Sequence, residues 1–349
     1  MKNHLIPASS TIIEALDRLN RLSGKVMTLF VTAENGTLEG TLTDGDVRRA
    51  ILSGAALSAS VTVAMHRNFH KYDPDDAGQI PELRKAGVKL LPVIDAKGRI
   101  TEIIDLTVTR ARLPLQAVLM AGGLGERLRP MTLTTPKPLL EIEGKAIIDY
   151  NIEMLSAVGI TDITVACRYL AEKIEAHFAS EIAGVKVRTV RESVPMGTIG
   201  AVANIPLPAI GDTIVMNSDI LTTLSLEEMY LRHISAGADI TVAAIPYTVS
   251  VPYAILATED DCVRSLVEKP TYSYFANAGI YIFRNKVLKT IDPGIRTDAT
   301  TLIEDTIKEG GKVTYFPING TWIDIGTPAD FRHAADIMRH HRDFEKDRF

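Results

Sequence analysis

The sequence predicts an α/β protein in which a mixed sheet with helices on both faces follows a smaller α+β region. Beyond residue 115, short apolar runs alternate with amphipathic helical segments, a pattern typical of α/β sheets. Before residue 110, a weak pattern of roughly 60 residues occurs twice. The stretch TRARLPLQ, residues 109–116, separates the two regions. We therefore predict two domains, residues 1–113 and residues 116–349.

The composition argues against several classes of protein. Of the 349 residues, 46% are hydrophobic and 23% are charged, as expected for a globular protein with a core. The net charge of −5 argues against a nucleic-acid partner, because such proteins usually carry a basic face. No stretch approaches the roughly 18 apolar residues of a membrane span, so no membrane partner is expected. Cys167 and Cys262 lack metal-type spacing, which favours a reducing, cytoplasmic location.

The first domain is predicted to contain two similar halves, residues 5–58 and 61–109. Each half has the pattern helix, strand, turn, strand, helix. In the second half, VIDAKGRI predicts a hairpin with a Lys-Gly turn. The apolar face of the first helix is expected to consist of Ile13, Leu16 and Leu19.

The segment GTLTDGDV in the first half resembles the nucleotide-binding edge of cystathionine-β-synthase-type (CBS) domains, which occur in tandem. The resemblance implies an adenine nucleotide whose ribose contacts Thr43 and Asp46. The matching positions of the second half are Asp105 and Val108, and valine cannot accept a hydrogen bond. One binding site rather than two is therefore expected. The alternative is that Thr43 and Asp46 only cap the helix that follows.

The second domain opens with an apolar strand and a loop rich in glycine and positive charge, VLMAGGLGERLRPMTLTTPKPLL, residues 118–140. Ligands of α/β sheets bind beyond the carboxyl ends of the strands, where this loop begins. The loop fits neither the G-x-G-x-x-G pattern nor the P-loop pattern. Free backbone amides together with Arg127 and Lys137 nevertheless suit a triphosphate.

The same loop resembles the signature of the sugar-phosphate nucleotidyltransferases, L-x-A-G-G-x-G-[TE]-R-[LM]-x-P-x-T followed by P-K-P-L-L. Every element is present in order, and the resemblance extends from Ala117 to the C-terminal helix. The chain is similar to guanylyltransferases of the mannose-1-phosphate, heptose-1-phosphate or glucosamine-1-phosphate type. The resemblance implies the nucleotidyltransferase fold, a Rossmann-like mixed sheet with helices on both faces.

Further motifs of this family fall in the expected order: RESVPMGTIGA, VMNSDI, VEKP, NAGIYIF and WIDIGTPADF. The resemblance assigns nucleotide binding to Ala121, Gly122, Gly123, Gly125, Glu192 and Gly197. It assigns the sugar phosphate to Glu268, Lys269, Asn277 and Gly279. It assigns catalysis to Arg127, Lys137, Asp219 and Asp324, of which the two aspartates would hold Mg²⁺.

The implied reaction joins two polyanions. An oxygen of a sugar 1-phosphate attacks the α-phosphorus of a nucleoside triphosphate, and pyrophosphate leaves. No protein nucleophile is needed, so catalysis consists of positioning and charge neutralisation. Arg127 and Lys137 would meet the triphosphate, and Lys269 the incoming phosphate. Mg²⁺ prefers carboxylate and phosphate oxygens.

Glu192 predicts the base. An ionised carboxylate accepts two hydrogen bonds and donates none, which matches the N1–H and exocyclic amine of guanine. Uracil and thymine offer one donor between two acceptors. GTP is therefore favoured, and the product would be a nucleotide sugar for cell-surface glycans. The alternatives are a uridylyl- or thymidylyltransferase, a related glycosyltransferase, or a nucleotide sensor without catalysis; Glu192 could also only brace its loop. A homo-oligomer is expected, because CBS pairs associate through their helices.

Overall fold

The computed structural model describes residues 2–23, 26–74 and 76–340. The last part of the predicted second domain, residues 341–349, lies outside the described residues. The chain divides into two compact units, Met1–Arg112 and Leu113–Phe349. Over the described ranges, no helix is both long enough and apolar enough to span a membrane.

The first unit is an α+β structure with two small sheets. Its elements are β1 (Leu5–Pro7), α1 (Ile12–Arg21), β2 (Thr28–Thr32), β3 (Leu38–Thr43), α2 (Asp44–Leu52), α3 (Gln79–Lys85), β4 (Leu90–Ile94) and β5 (Ile100–Asp105). Strands β1 and β2 are parallel, β2 and β3 are antiparallel, and β4 pairs with β5 as a hairpin. Phe30 and Leu90 share an apolar cluster and so join the two halves.

Helix α1 begins at a capping box between Thr11 and Glu14. Its buried residues are Ile12, Ala15 and Leu19. The prediction that Ile13 belongs to this face was wrong, since 55% of Ile13 is exposed. Both sets have helical spacing and both end at Leu19, so the periodicity alone does not choose between them.

The second half of the first unit departs from the predicted pattern at its end. The predicted hairpin is present, and Asp95 Oδ1 accepts hydrogen bonds from the N–H groups of Lys97 and Arg99. No helix follows β5 between residues 106 and 112. Asp105 Oδ1 instead accepts from the Thr107 N–H at 2.9 Å and closes a turn. In this turn Leu106 is buried and Val108 is 75% exposed, so the segment buries one side chain without forming the predicted helix.

The second unit contains the larger sheet. Its elements are β6 (Leu115–Ala121), β7 (Glu141–Ile142), β8 (Lys145–Ala146), α4 (Ile147–Ala157), β9 (Ile163–Cys167), α5 (Ala171–His177), β10 (Arg188–Arg191), β11 (Asp212–Asn217), β12 (Ile220–Thr222), α6 (Leu226–Ala236), β13 (Ile240–Ser250), β14 (Ile255–Glu259), β15 (Cys262–Val267), β16 (Thr271–Arg284), α7 (Asn285–Leu288), α8 (Ala299–Lys308), β17 (Val313–Pro317), β18 (Trp322–Asp324) and α9 (Pro328–His340). The predicted α/β class is confirmed.

The seven-stranded sheet has the order β10-β9-β6-β11-β16-β13-β17. Strands β10, β9, β6 and β11 run parallel to one another, whereas β16 is antiparallel to both β11 and β13. The sheet is therefore mixed, as predicted. The four parallel strands bring their carboxyl ends to one edge, where such sheets bind ligands.

Two apolar clusters stabilise this sheet and its edge. One joins Val118, Val215 and Phe283 of the sheet to Leu302 of α8. The other joins Leu128 of the glycine loop to Leu221 of β12 and Ile323 of β18. The second cluster holds the loop and both short strands beside the carboxyl edge.

Strands β13 and β16 extend beyond the sheet as a two-stranded ribbon, with Ser250 paired to Thr271. Between them, β14 and β15 form a separate exposed hairpin. The ribbon begins at the carboxyl edge and carries Asn277 and Gly279, two of the predicted sugar-phosphate residues.

Candidate active site

A cavity of about 410 Å³ lies at the carboxyl edge of the parallel strands. Gly122 follows β6, Glu192 follows β10, and Asp219 follows β11, and all three line this cavity. Gly123 and Gly197 line it as well. Residues far apart in sequence meet here because the strand order of the sheet differs from the order of the chain.

The glycine loop that follows Ala121, the last residue of β6, is shaped by close contacts. A Cβ at Gly122 would lie 2.9 Å from Glu192 Oε1, so this position admits no side chain without a shift of Glu192. Gly125 has φ +60°, and a Cβ there would lie 2.9 Å from the Thr132 side chain. The Thr132 hydroxyl donates to the Gly125 carbonyl at 2.8 Å. Glycine is therefore required at both positions.

Lys137 joins the two predicted metal-binding aspartates. Its ammonium forms an ion pair with Asp219 Oδ2, and it lies 3.7 Å from Asp324 Oδ1. Only 11% of the Lys137 side chain is exposed. The flanking residues Pro136 and Pro138 begin a short 3-10 turn that holds the backbone of this lysine.

Asp324 reaches Asp219 through a small antiparallel pair. Strand β18 lies beside β12, with Asp324 opposite Ile220, the residue after Asp219. The Ile325 N–H also donates to the Asp219 carbonyl at 3.1 Å. Backbone pairing thus places two carboxylates side by side at the edge of the cavity.

The carboxylates are close enough to interact electrostatically. Burial raises the pKa of Asp324 above its ordinary value, and the negative charge of Asp219 raises that pKa further. Lys137 and Arg127 oppose this shift. Two adjacent carboxylates that repel each other suit a hard divalent cation, which neutralises both. The two carboxylates therefore fit a divalent cation. Over the described ranges, no group of three or more acidic, histidine or cysteine residues forms a metal cluster.

Arg127 is an exposed residue of the glycine loop and lies next to the motif WIDIGTPADF. A Cβ at Gly326 would lie 3.2 Å from its guanidinium. The guanidinium therefore rests on the backbone that follows Asp324. In this position, its planar fork is available to an anion entering from solvent.

Glu192 is a buried carboxylate that lines the cavity, with 7% of the residue exposed. Its Oε2 accepts a hydrogen bond from the Met196 N–H at 3.3 Å. Burial raises its pKa, which the Met196 hydrogen bond and the charge of Arg168 oppose. Glu192 thus braces its loop and also presents carboxylate oxygen to the cavity.

Gly197 allows the segment 196–200 to pack against residues 295–299. Gly197 has φ +81°, and a Cβ there would lie 2.4 Å from the Thr297 carbonyl oxygen. The Thr198 N–H donates to Asp298 Oδ1 at 2.9 Å, and the Thr198 hydroxyl accepts from the Ala299 N–H at 2.8 Å. These contacts fix one wall of the cavity.

Two of the four residues predicted to bind the sugar phosphate, Asn277 and Gly279, lie on the ribbon strand β16. Gly279 of β16 approaches Asn217, since a Cβ at Gly279 would lie 2.6 Å from Asn217 Nδ2. Asn277 Oδ1 accepts from the Gly279 N–H at 2.9 Å. Glu268 and Lys269 are exposed in the turn after β15 and are not among the residues that line the cavity. The structure thus brings the first pair to the cavity edge and leaves the second pair in solvent.

Several lining residues were missed by sequence reasoning, namely Arg168, Asn217, Arg296 and Asp298. Arg168 directly follows β9, as Gly122 follows β6. Its position after a buried apolar strand was the available signal. Arg296 and Asp298 belong to a loop before α8, and no local pattern marks that loop as part of the cavity.

In the first unit, Thr43 and Asp46 form a capping box at the start of α2. Asp46 Oδ2 accepts from the Thr43 N–H at 2.8 Å and from its hydroxyl at 2.6 Å. Thr43 also lines a cavity of about 450 Å³ together with His66, His70 and Lys89, whereas Asp46 does not line it. Thr43 and Asp46 therefore cap α2, and the cavity beside Thr43 contains cationic and hydroxyl groups.

Comparison with known proteins agrees with this geometry. The family model for nucleotidyl transferases matches residues 116–340, and the model for the CBS domain matches residues 3–53. The chain is 33% identical over 224 residues to the mannose-1-phosphate guanylyltransferase catalytic subunit beta of Drosophila pseudoobscura pseudoobscura, covering 62% of this chain and 60% of that protein. It is 32% identical over 235 residues to the mannose-1-phosphate guanylyltransferase of Mycobacterium tuberculosis, covering 64% and 65%. The chain therefore spans less than two thirds of the length of either relative.

Among solved structures, HddC from Yersinia pseudotuberculosis matches with a TM-score of 0.50 and 27% identity, covering 64% of this chain and 99% of HddC. A second structure of HddC, complexed with GMP-PN, matches equally well. The fold thus resembles that of HddC, one structure of which is a complex with GMP-PN. Because the first family model covers more than half of the sequence, this chain belongs to the nucleotidyl transferase family and carries a CBS domain at its N-terminus.

Proposed function

We propose that this protein transfers a guanylyl group from GTP to a sugar 1-phosphate, giving a GDP-sugar and pyrophosphate for cell-surface glycan synthesis. The observation that carries the proposal is one cavity lined by both Glu192 and Asp219, with Lys137 and Asp324 beside Asp219. A carboxylate that could read the base and a charged cluster that could handle phosphate thus share one cavity. The relatives named as mannose-1-phosphate guanylyltransferases make mannose 1-phosphate the first acceptor to test.

The chain's own residues would act by position and charge. Backbone N–H groups of Gly122 and Gly123 would receive the phosphates, because the loop leaves them without side chains. Lys137 would move from the aspartates to the α-phosphate as charge develops there. Arg127 would neutralise the departing pyrophosphate with its planar fork. The acceptor phosphate would enter along the ribbon, beside Asn277 and Gly279. Glu268 and Lys269, in the turn that precedes the ribbon strand β16, stay predicted contacts of this phosphate.

We propose Mg²⁺ as the metal, held by Asp219 and Asp324. When bound, it would supply a positive charge that draws phosphate oxygens together and stabilises the transition state. Lys137 already pairs with both carboxylates, so the protein alone offsets one of their two negative charges. With the carboxylates otherwise neutralised, Lys137 would be free to turn toward the substrate.

The base preference is tested by a matrix of nucleoside triphosphates against sugar 1-phosphates, scored by pyrophosphate release. We expect GTP to be used best, and Glu192→Gln to lower the GTP/UTP ratio of kcat/KM by about tenfold, since a charge-assisted hydrogen bond contributes roughly 1.5–3 kcal/mol. A preference for UTP in the unmodified protein, or an unchanged ratio in the variant, would remove guanine from the proposal. Failure of every pair to release pyrophosphate would favour a nucleotide sensor.

We further propose that the first unit binds one adenine nucleotide in the cavity next to Thr43. The start of α2 and the side chains of His66, His70 and Lys89 offer donors and positive charge to phosphate. Asp46 stays a predicted ribose contact, and binding would require it to exchange its bonds with Thr43. Calorimetry of the full chain with AMP should give one site per chain, weakened by Lys89→Met and not by Lys85→Met on α3. Two equivalent sites, or none, would contradict this proposal.

Assembly and location complete the proposal. We infer a homo-oligomer joined through the helices of the first unit, because Ile13 of α1 and Leu52 of α2 present exposed apolar side chains. A cytoplasmic location is supported by the free thiols of Cys167 and Cys262.

A further inference from the structure

Arg168 and Glu192 project from neighbouring strand ends into one cavity. Strands β9 and β10 are parallel, with Cys167 opposite Arg191, so Arg168 and Glu192 are the next residues along each strand. The Glu192 N–H donates to the Cys167 carbonyl at 2.8 Å, which holds the two ends together. Adjacent strands lie about 4.8 Å apart. The two side chains therefore reach the same part of the cavity, and both line it.

The guanidinium of Arg168 is available to a ligand. Arg168 is partly buried, and over the described ranges it forms neither a hydrogen bond nor an ion pair with another side chain. The positive charge of Arg168 nevertheless opposes the rise that burial causes in the pKa of Glu192, so the two groups are near each other. Arg188, by comparison, pairs with Asp162 on the surface. A partly buried arginine with open donors next to a buried carboxylate needs an acceptor to satisfy it.

We infer that Arg168 determines base specificity by donating two hydrogen bonds to O6 and N7 of guanine while Glu192 accepts from N1–H and the exocyclic amine. This inference rests on the proposed guanylyltransferase activity. Arginine recognises that pair of acceptors through its planar fork. Adenine would turn an amine toward Arg168, and pyrimidines have no N7. Arg168 thus distinguishes guanine from adenine at O6 and N7. Glu192 contributes to this distinction only at the opposite edge of the base, at N1 and the exocyclic amine.

Two analogues isolate the two contacts. In 7-deaza-GTP, a C–H replaces the N7 acceptor that Arg168 would use. In ITP, the exocyclic amine that Glu192 would use is missing. We expect the unmodified protein to prefer GTP over 7-deaza-GTP by about tenfold in kcat/KM, as for one charge-assisted hydrogen bond. In Arg168→Gln this preference should fall to about one, through KM rather than kcat, while the GTP/ITP ratio stays unchanged.

Two further variants separate the bidentate geometry of the Arg168 guanidinium from its positive charge. Arg168→Lys keeps the charge beside Glu192 but loses the bidentate geometry, so it should restore only part of the preference for GTP over 7-deaza-GTP. Arg188→Gln removes a surface arginine of the same sheet and should behave like the unmodified protein. Thermal melting of each variant, and kcat at saturating GTP, report whether the site remains folded.

The outcomes are distinct. Equal use of GTP and 7-deaza-GTP by the unmodified protein would overturn the inference while leaving guanylyl transfer intact. Full restoration by Arg168→Lys would overturn it too, because Arg168 would then only balance the charge of Glu192. Absence of pyrophosphate release from GTP with any sugar 1-phosphate would instead refute the proposed function. Binding of GTP and 7-deaza-GTP measured by calorimetry would still test Arg168 in that case.

Discussion

At the scale of single residues, the cavity depends on charges that the fold holds close together. Lys137 is shared between Asp219 and Asp324, and Arg168 lies beside Glu192. In each pair, a cation offsets the electrostatic cost of placing a carboxylate in a partly buried position. Substitutions at these positions should therefore alter activity and stability in separable ways.

We expect Asp219→Asn and Asp324→Asn each to reduce turnover by at least about a hundredfold, because each removes a charge that stabilises the reacting phosphates. An amide retains the shape of the carboxylate, so the thermal melting curve should change little. Asp305→Asn on the exposed surface of α8 is the matched control. Unchanged Mg²⁺-dependent pyrophosphate release in either active-site variant would contradict the metal assignment.

Glu192 should oppose stability at neutral pH. Its pKa is raised in the folded protein above the ordinary value of 4.5, so the folded state favours the protonated form. The stability that this group contributes is present at low pH and is lost as the pH rises through its folded pKa. Glu192→Gln is neutral at every pH and should raise the melting temperature by a few degrees near pH 7.

That gain should shrink as the pH falls toward the ordinary value of 4.5, because Glu192 in the folded protein takes up its proton at a pKa raised above that value. Melting curves recorded across this range provide the measurement. If Glu192→Gln is destabilised equally near pH 7 and near pH 4.5, the hydrogen bond from the Met196 N–H outweighs the cost of burying the Glu192 charge.

At the scale of elements, one wall of the cavity depends on a backbone approach that only glycine permits. The segment 196–200 packs against residues 295–299, and Gly197 is where the two backbones come nearest. The hydrogen bonds of Thr198 with Asp298 and Ala299 follow from this contact. The wall therefore acts as one unit.

Gly197→Ala should destabilise the protein by clearly more than about 1 kcal/mol and raise KM for the nucleotide, since the new Cβ meets Thr297 as well as an unfavourable φ. Gly310→Ala measures the effect of the unfavourable φ alone, because Gly310 has φ +81° but open space around it. Denaturant unfolding and nucleotide titration of both variants give the comparison. Equal destabilisation by the two substitutions would show that the close contact relaxes.

At the scale of the whole molecule, two compact units with separate cavities share one chain. Exposed apolar side chains on α1 and α2 of the first unit would provide the surface for the proposed self-association, and Leu52 is 83% exposed. Burial of such side chains contributes about 25 cal/mol per Å² of apolar surface.

We expect light scattering to give a mass of at least two chains, and Leu52→Lys to lower it toward one chain. Ile210→Lys is the control, since Ile210 is 90% exposed in a loop of the second unit. A monomer for the unmodified protein, or an equal effect of both substitutions, would contradict assembly through the first unit.

Much of the fold followed from local chemistry. Capping boxes begin α1 and α2, a Gly turn closes the β4–β5 hairpin, and the glycine loop follows a buried strand; each is encoded within a few residues. Local patterns predicted two features wrongly. Ile13 fits a helical face that the core does not use, and the segment after β5 forms a turn instead of the expected helix.

The amino-acid sequence by itself determined the strand–helix alternation, the glycine loop and the identity of the charged residues that follow buried strands. The tertiary structure alone decided which of those residues meet. Lys137 touches Asp219 and Asp324 because β18 pairs with β12, and Arg168 stands beside Glu192 because β10 pairs with β9. Strand pairing is set by burial of apolar faces over the whole sheet, so no short segment encodes it.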